Sequence, residues 1–132
     1  MSENVHILWD VINIPGVLKV DPTGSREICN PAPTDTDYDI ICLVNRDIHN
    51  DLVDTIGFEH TSNQEGYEDI DSFIDCYQYE EINLVVIRDP DFYRKFRSAT
   101  ILCKALNVLD KTKRLEIFDL ILYRQEKLDD HK

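Results

Sequence analysis

Residues 24–44 read GSREICNPAPTDTDYDIICLV, and the second half of that stretch decides the fold. Tyr38–Val44 is a continuous apolar run of strand length, rich in Ile, which predicts a strand inside a sheet. Directly before and within it stand Asp35, Asp37 and Asp39, three acids in five positions. Residues two apart in a strand project from the same face, so the Asp37 and Asp39 carboxylates lie side by side while Tyr38 points away. Two like charges so close repel unless a cation lies between them. An oxygen-rich pair of this kind suits Mg²⁺ or Mn²⁺, which take one or two carboxylates and complete their shells with water and phosphate oxygens. Upstream, Gly24 and Ser25 read as a turn whose backbone amides can approach a phosphate. The same acids would equally serve a solvated loop, where Asp beside Pro and Thr forms turns.

Outward from this stretch, the apolar spacing over residues 5–14 predicts a short helix that Pro15 and Gly16 stop. Residues 17–20 read as a brief strand before turn chemistry at residues 21–24, and residues 30–36 as a Pro-containing loop. Residues 47–56 form a helix with Ile48, Leu52, Val53 and Ile56 on one face, closed by Gly57. Residues 58–67 are polar with a turn near Gly66, and residues 72–77 have the length of a strand or a short helix. Residues 81–87, EINLVVI, are the second clear strand. Asp89, Pro90 and Asp91 start a helix with Phe92, Phe96, Ala99, Leu102, Cys103 and Leu106 on its apolar side. A last helix covers residues 112–124, with Leu115, Phe118, Ile121 and Leu122 facing inward, and residues 126–132 fray. Trp9, Phe92, Phe96 and Phe118 are spaced as core residues.

A chain of 132 residues is the size of one domain, residues 1–132. No run approaches the roughly 20 apolar residues of a membrane helix, and no secretory signal pattern opens the chain, so the expected location is cytoplasmic. The four cysteines lack metal-ligand spacing and read as reduced thiols, Cys42 and Cys103 as buried ones. The four histidines share no spacing that makes a site. A net charge of -12 argues against unaided binding to duplex nucleic acid. That charge is uneven: from Arg88 onward there are 11 basic and 8 acidic residues, net +3, against 3 basic and 18 acidic before it, net -15. Such a division suits acids that hold metal and bases that meet phosphate, or two faces that attract each other within the fold, or an acidic mimic of nucleic acid.

Gly24-Ser25, eleven intervening residues, and Asp37-Tyr38-Asp39 leading into an apolar strand resemble the signature of the DNA polymerase beta-type nucleotidyltransferase superfamily. With residues 82–124 the likeness extends to small bacteriophage-encoded nucleotidyltransferase-like proteins, and it covers most of the chain from Thr23 to Arg124. The resemblance implies an α/β (α+β) nucleotidyltransferase-like fold, a small mixed sheet backed by helices with two helices at the C-terminal end. It implies a nucleoside triphosphate held through Mg²⁺ or Mn²⁺, with Asp37 and Asp39 as catalytic metal ligands and Gly24 and Ser25 at the triphosphate. Arg26, Lys104 and Arg114 are the cations considered for phosphate contact, although each also suits a surface ion pair or a solvated helix face.

The sequence departs from that signature where a third carboxylate is expected on a later strand, because the residue there is Asn83. Its amide oxygen can coordinate a metal but carries no charge and takes no proton. Glu81, two residues earlier, and Asp35 are the acids able to substitute. The implied reaction transfers a nucleoside monophosphate from an NTP to an unidentified acceptor. The alternative is a catalytically degenerate module that binds a nucleotide or a host protein, in the host cytoplasm if phage-encoded, with a homodimer as one way to complete the cleft.

Overall fold

In the computed structural model, which describes residues 5–32, 37–61 and 74–124, Tyr38–Val44 is strand β2, an interior strand as its composition predicts. It is followed by a π-type helical segment, Asp51–Ile56, that Gly57 ends in the left-handed region at φ 104°. Before it come helix α1, Val5–Ile12, strand β1, Val17–Thr23, and the short helix α2, Gly24–Ile28. After it come β3, Glu59–Thr61, β4, Ile74–Tyr79, and β5, Ile82–Ile87. Helix α3, Pro90–Ala105, starts on an Asp89 side chain that accepts the Asp91 backbone N–H. Helix α4, Lys111–Asp119, continues as a π-type segment, Leu120–Arg124. The class is the one expected: a mixed sheet with helices, two of them at the C-terminal end.

The five strands lie in the order β1-β2-β5-β4-β3. β2 and β5 are parallel, and the other pairs are antiparallel. Alternation along the two central strands builds two cores. Ile40, Cys42, Val44, Leu84 and Val86 join Ile7, Val11, Ile48 and Leu52 on the α1 face. Ile41, Leu43, Val85 and Ile87 join Phe92, Tyr93, Phe96 and Leu122 on the α3 face. Burial on both faces explains why β2 and β5 are near-continuous apolar runs, each large side chain contributing roughly 1.5–3 kcal/mol.

Several expectations are corrected. β1 does not stop at Val20 but continues through Pro22, which it tolerates as an edge strand with no inner ladder position to fill. Gly24 therefore opens α2 instead of closing a turn. Residues 74–77 belong to a strand, where they pair with β5. Trp9 is 62% exposed, because α1 and the turn after it bury Ile7, Val11 and Ile14 and Trp9 lies off that stripe. Leu102 and Leu106 are exposed beside the buried stripe Phe92, Phe96, Ala99 and Cys103. Leu115 is exposed too, since the C-terminal helix reaches the core through Phe118 and Leu122. His49 and His60, which no spacing connects, meet with ring centroids 5.1 Å apart. Cys42 and Cys103 are buried as expected. The expected turn at Gly66, Asp35 and residues 126–132 lie outside the described residues. Among the described residues no helix is long and apolar enough to cross a membrane.

Candidate functional site

Strand register assembles the site. Asp39 is the second residue of β2, and across the sheet it pairs with Thr23 of β1 on one side and Asn83 of β5 on the other. It shares the α3 face with Ile41, and it is partly buried where the strand enters the core. The Asn83 side-chain amide donates to Asp39 Oδ1 at 3.0 Å. Asp37, just outside the strand, is exposed, and Gln78 of β4 approaches its Oδ2 at 3.4 Å while donating to the Glu80 carbonyl at 2.6 Å.

On the β1 side the chain comes very close to the acid. Gly24 has φ +76°, and a Cβ there would lie 2.1 Å from Asp39 Oδ2 and 2.8 Å from its Cβ and Cγ. Only glycine accepts both the backbone conformation and the approach, so the Gly24 main chain packs directly on the carboxylate. Ser25 and Arg26 follow on α2. The Arg26 guanidinium lies over the Tyr38 ring, 4.1 Å from its centroid, a cation–π contact that ties α2 to the start of β2.

Burial raises the Asp39 carboxyl above its ordinary value, and the Asp37 charge pushes in the same direction. The Asn83 hydrogen bond and the Lys111 charge oppose that rise. Among the described residues no ion pair includes either aspartate. A cation held between them would relieve both causes of the rise.

Lys111 is the residue that sequence reasoning missed. It opens α4 directly after the N-cap Asp110, whose side chain accepts the Thr112 N–H at 2.9 Å. A lysine in the first turn opposes the helix dipole, which favours acids there, and that misplacement is the signal in the sequence. The other cations considered are held by protein groups. Lys104 pairs with Glu27 of α2 at 2.8 Å. Arg114 donates to the Val108 and Leu109 carbonyls at 3.0 and 2.8 Å and meets Cys29 Sγ at 3.4 Å. Glu81 precedes β5 instead of lying within it, and its carbonyl accepts the Tyr38 N–H at 2.7 Å.

Asp37 and Asp39 are the carboxylates that would hold a hard divalent cation. Two carboxylates would leave room for phosphate and water in its shell, the usual mode for Mg²⁺. Among the described residues no three His, Cys, Asp or Glu side chains gather to hold a metal by themselves. A pair of metals would need a further acid, which the Asn83 position does not supply.

No family model matches the chain, and no curated protein matches it. Among solved structures, the crystal structure of the conserved protein GrpB from Enterococcus faecalis is similar over 94% of this chain and 91% of its own, with 15% identity and a TM-score of 0.49.

Proposed function

We infer that the site formed by Asp37, Asp39 and the Gly24 backbone binds a nucleoside triphosphate through one divalent cation, in a nucleotidyltransferase-type module. The observation that carries this reading is the packing of the Gly24 backbone on a partly buried, like-charged aspartate. A partly buried carboxylate whose ionisation is opposed by its surroundings is characteristic of binding sites. The resemblance in the stretch from Gly24 to Val44 supplies the ligand class.

In this reading Asp37 and Asp39 hold the cation, and the Gly24–Ser25 main chain faces the phosphates. Mg²⁺, when bound, neutralises charge on the triphosphate and on the departing pyrophosphate. An acceptor hydroxyl attacks the α-phosphorus, the bond to the bridging oxygen breaks, and pyrophosphate leaves. Asn83 takes no proton, so the hydroxyl proton goes to one of the two aspartates or to water.

A second reading is favoured by the Asn83 amide bonded to Asp39: the module binds a nucleotide, or a host protein, without turnover. Calorimetric titration with non-hydrolysable ATP and GTP analogues, in Mg²⁺ and in EDTA, tests the site. Metal-dependent binding that disappears in Asp37→Ala/Asp39→Ala supports it, whereas binding unchanged in that variant overturns it. Pyrophosphate release from NTP with candidate acceptors then separates transfer from binding alone.

A further inference from the structure

The start of α4 is bound to the end of α2. The Asn107 side chain takes both backbone groups of Asn30: it accepts the Asn30 N–H at 2.9 Å and donates to the Asn30 carbonyl at 3.2 Å. Cys29, the C-terminal cap of α2, points its thiol at the Val108 carbonyl at 3.9 Å, and Arg114 of α4 meets the same sulfur at 3.4 Å. Lys104 adds its pair with Glu27. The other end of α2 is Gly24, packed on Asp39. One five-residue helix therefore connects that carboxylate to the first turn of α4, where Lys111 stands.

Lys111 is exposed, and among the described residues its ammonium forms no hydrogen bond or ion pair. The cations around it are committed: Lys104 to Glu27, Arg97 to Asp21, and Arg114 to the Val108 and Leu109 carbonyls. Its charge nevertheless reaches Asp39, so it lies within electrostatic range of the carboxylate without contact. That arrangement leaves space between the two charges. Nor does local structure account for the residue, because a cation in the first turn of a helix opposes the dipole. The nucleotide site, in turn, is short of positive charge. Its two carboxylates already match one divalent cation, so the metal alone leaves most of the charge of a triphosphate uncompensated. A lysine, a compact point charge with three donors on a flexible stem, suits a chain of phosphate oxygens.

We propose that Lys111 binds the outer phosphates of the nucleotide and makes the site select triphosphates over monophosphates, an inference that rests on the nucleotide reading above. The phosphate chain then lies between the cation held by Asp37 and Asp39 and the Lys111 ammonium. A monophosphate, taken by the metal and the Gly24–Ser25 main chain, gains nothing from Lys111. With no nucleotide present the lysine repels the metal, so Lys111 weakens the binding of Mg²⁺ alone and strengthens that of the triphosphate. A residue that only supported the fold would move both in the same direction.

The test titrates the whole chain in Mg²⁺ with non-hydrolysable ATP and GTP analogues, with AMP and GMP, and with inorganic tripolyphosphate, which carries the charge without a base. Lys111→Met binds the triphosphate analogues and tripolyphosphate at least tenfold more weakly, the loss of one charge-assisted contact. It binds AMP and GMP within about twofold of the wild type, and Mg²⁺ alone no more weakly. Lys111→Arg recovers most of the triphosphate affinity. Lys113→Met, exposed in the same turn, leaves every affinity where it was. Full triphosphate affinity in Lys111→Met, beside a wild type whose binding needs Asp37 and Asp39, overturns this inference and leaves the nucleotide reading standing. So does an equal loss for mono- and triphosphates. A wild type that binds none of the probes overturns both.

Discussion

Asp21 and Asp39 project from the same face of neighbouring strands, under the same helix layer, and the chain treats them differently. Asp21 Oδ2 accepts the Tyr93 hydroxyl at 2.6 Å, and its Oδ1 pairs with Arg97 Nε at 3.2 Å. Both donors stand one turn apart on α3, so a single helix face satisfies the acid. Among the described residues, the Asp39 side chain receives a neutral amide alone. Its like-charged neighbour Asp37 works against ionisation, and Lys111 acts on it without forming an ion pair among the described residues. An acid with its own cation and donor secures a helix to a strand; an acid beside another acid, against bare glycine backbone, has no ion pair of its own among the described residues.

The sharpest way to break this comparison is at Gly24. Gly24→Ala puts a Cβ into Asp39 and forces an L side chain to φ +76°, so it should cost about 2–4 kcal/mol and abolish nucleotide binding. A Gly24→Ala protein with unchanged melting temperature and affinity would show that the approach to Asp39 is unimportant.

Next in size is Asn83→Asp, which sets a third carboxylate directly across from Asp39. In EDTA it should destabilise by about 1–2 kcal/mol, since like charges facing each other across strands repel. Added Mg²⁺ should recover that loss and bind more tightly than in the wild type. Thermal melts in EDTA and Mg²⁺ measure both halves, and a loss that Mg²⁺ leaves in place argues against a cation site.

At the paired acid the expected effect is smaller and purely structural. Tyr93→Phe removes one donor to Asp21 while Arg97 remains, lowering stability by about 1 kcal/mol in urea unfolding. Nucleotide affinity should not move. A change in affinity would mean that Asp21 belongs to the site as well.

The smallest effect is a gain. The folded Asp39 carboxyl lies above its unfolded value, so the folded state binds the proton more readily. Stability from this group is greatest below the unfolded value, and it falls as pH rises through the folded one. At neutral pH the charged carboxylate is therefore a cost that the isosteric Asp39→Asn removes, raising the melting temperature by roughly 1–3 °C in EDTA. The gain should vanish as pH falls below the ordinary carboxylate value of 3.8. A variant no more stable than wild type across that pH series would place Asp39 in the satisfied class with Asp21.

Much of the architecture is written in local patterns. The apolar runs at Tyr38–Val44 and Ile82–Ile87 specify buried strands, and Asp89 with Pro90 specifies the start of α3. Asp37, Asp39 and Gly24 stand out as a group because two-residue alternation and a glycine before an acidic strand have direct geometric meaning. The exposed Trp9 and Leu115 escaped the same reasoning, since periodicity identifies an apolar stripe without saying how far the partner layer extends beneath it.

Residues a few positions apart are therefore enough to mark Tyr38–Val44 and Ile82–Ile87 as buried strands and to place helices α1, α3 and α4, because each carries its own apolar period and end signals. That Asn83 donates to Asp39 across 44 positions, that Lys111 acts on the same carboxylate, and that His49 meets His60 is legible in the folded chain alone. Those contacts depend on strand order and register, which are set by the summed burial of two cores and leave no mark in the spacing of the residues they bring together.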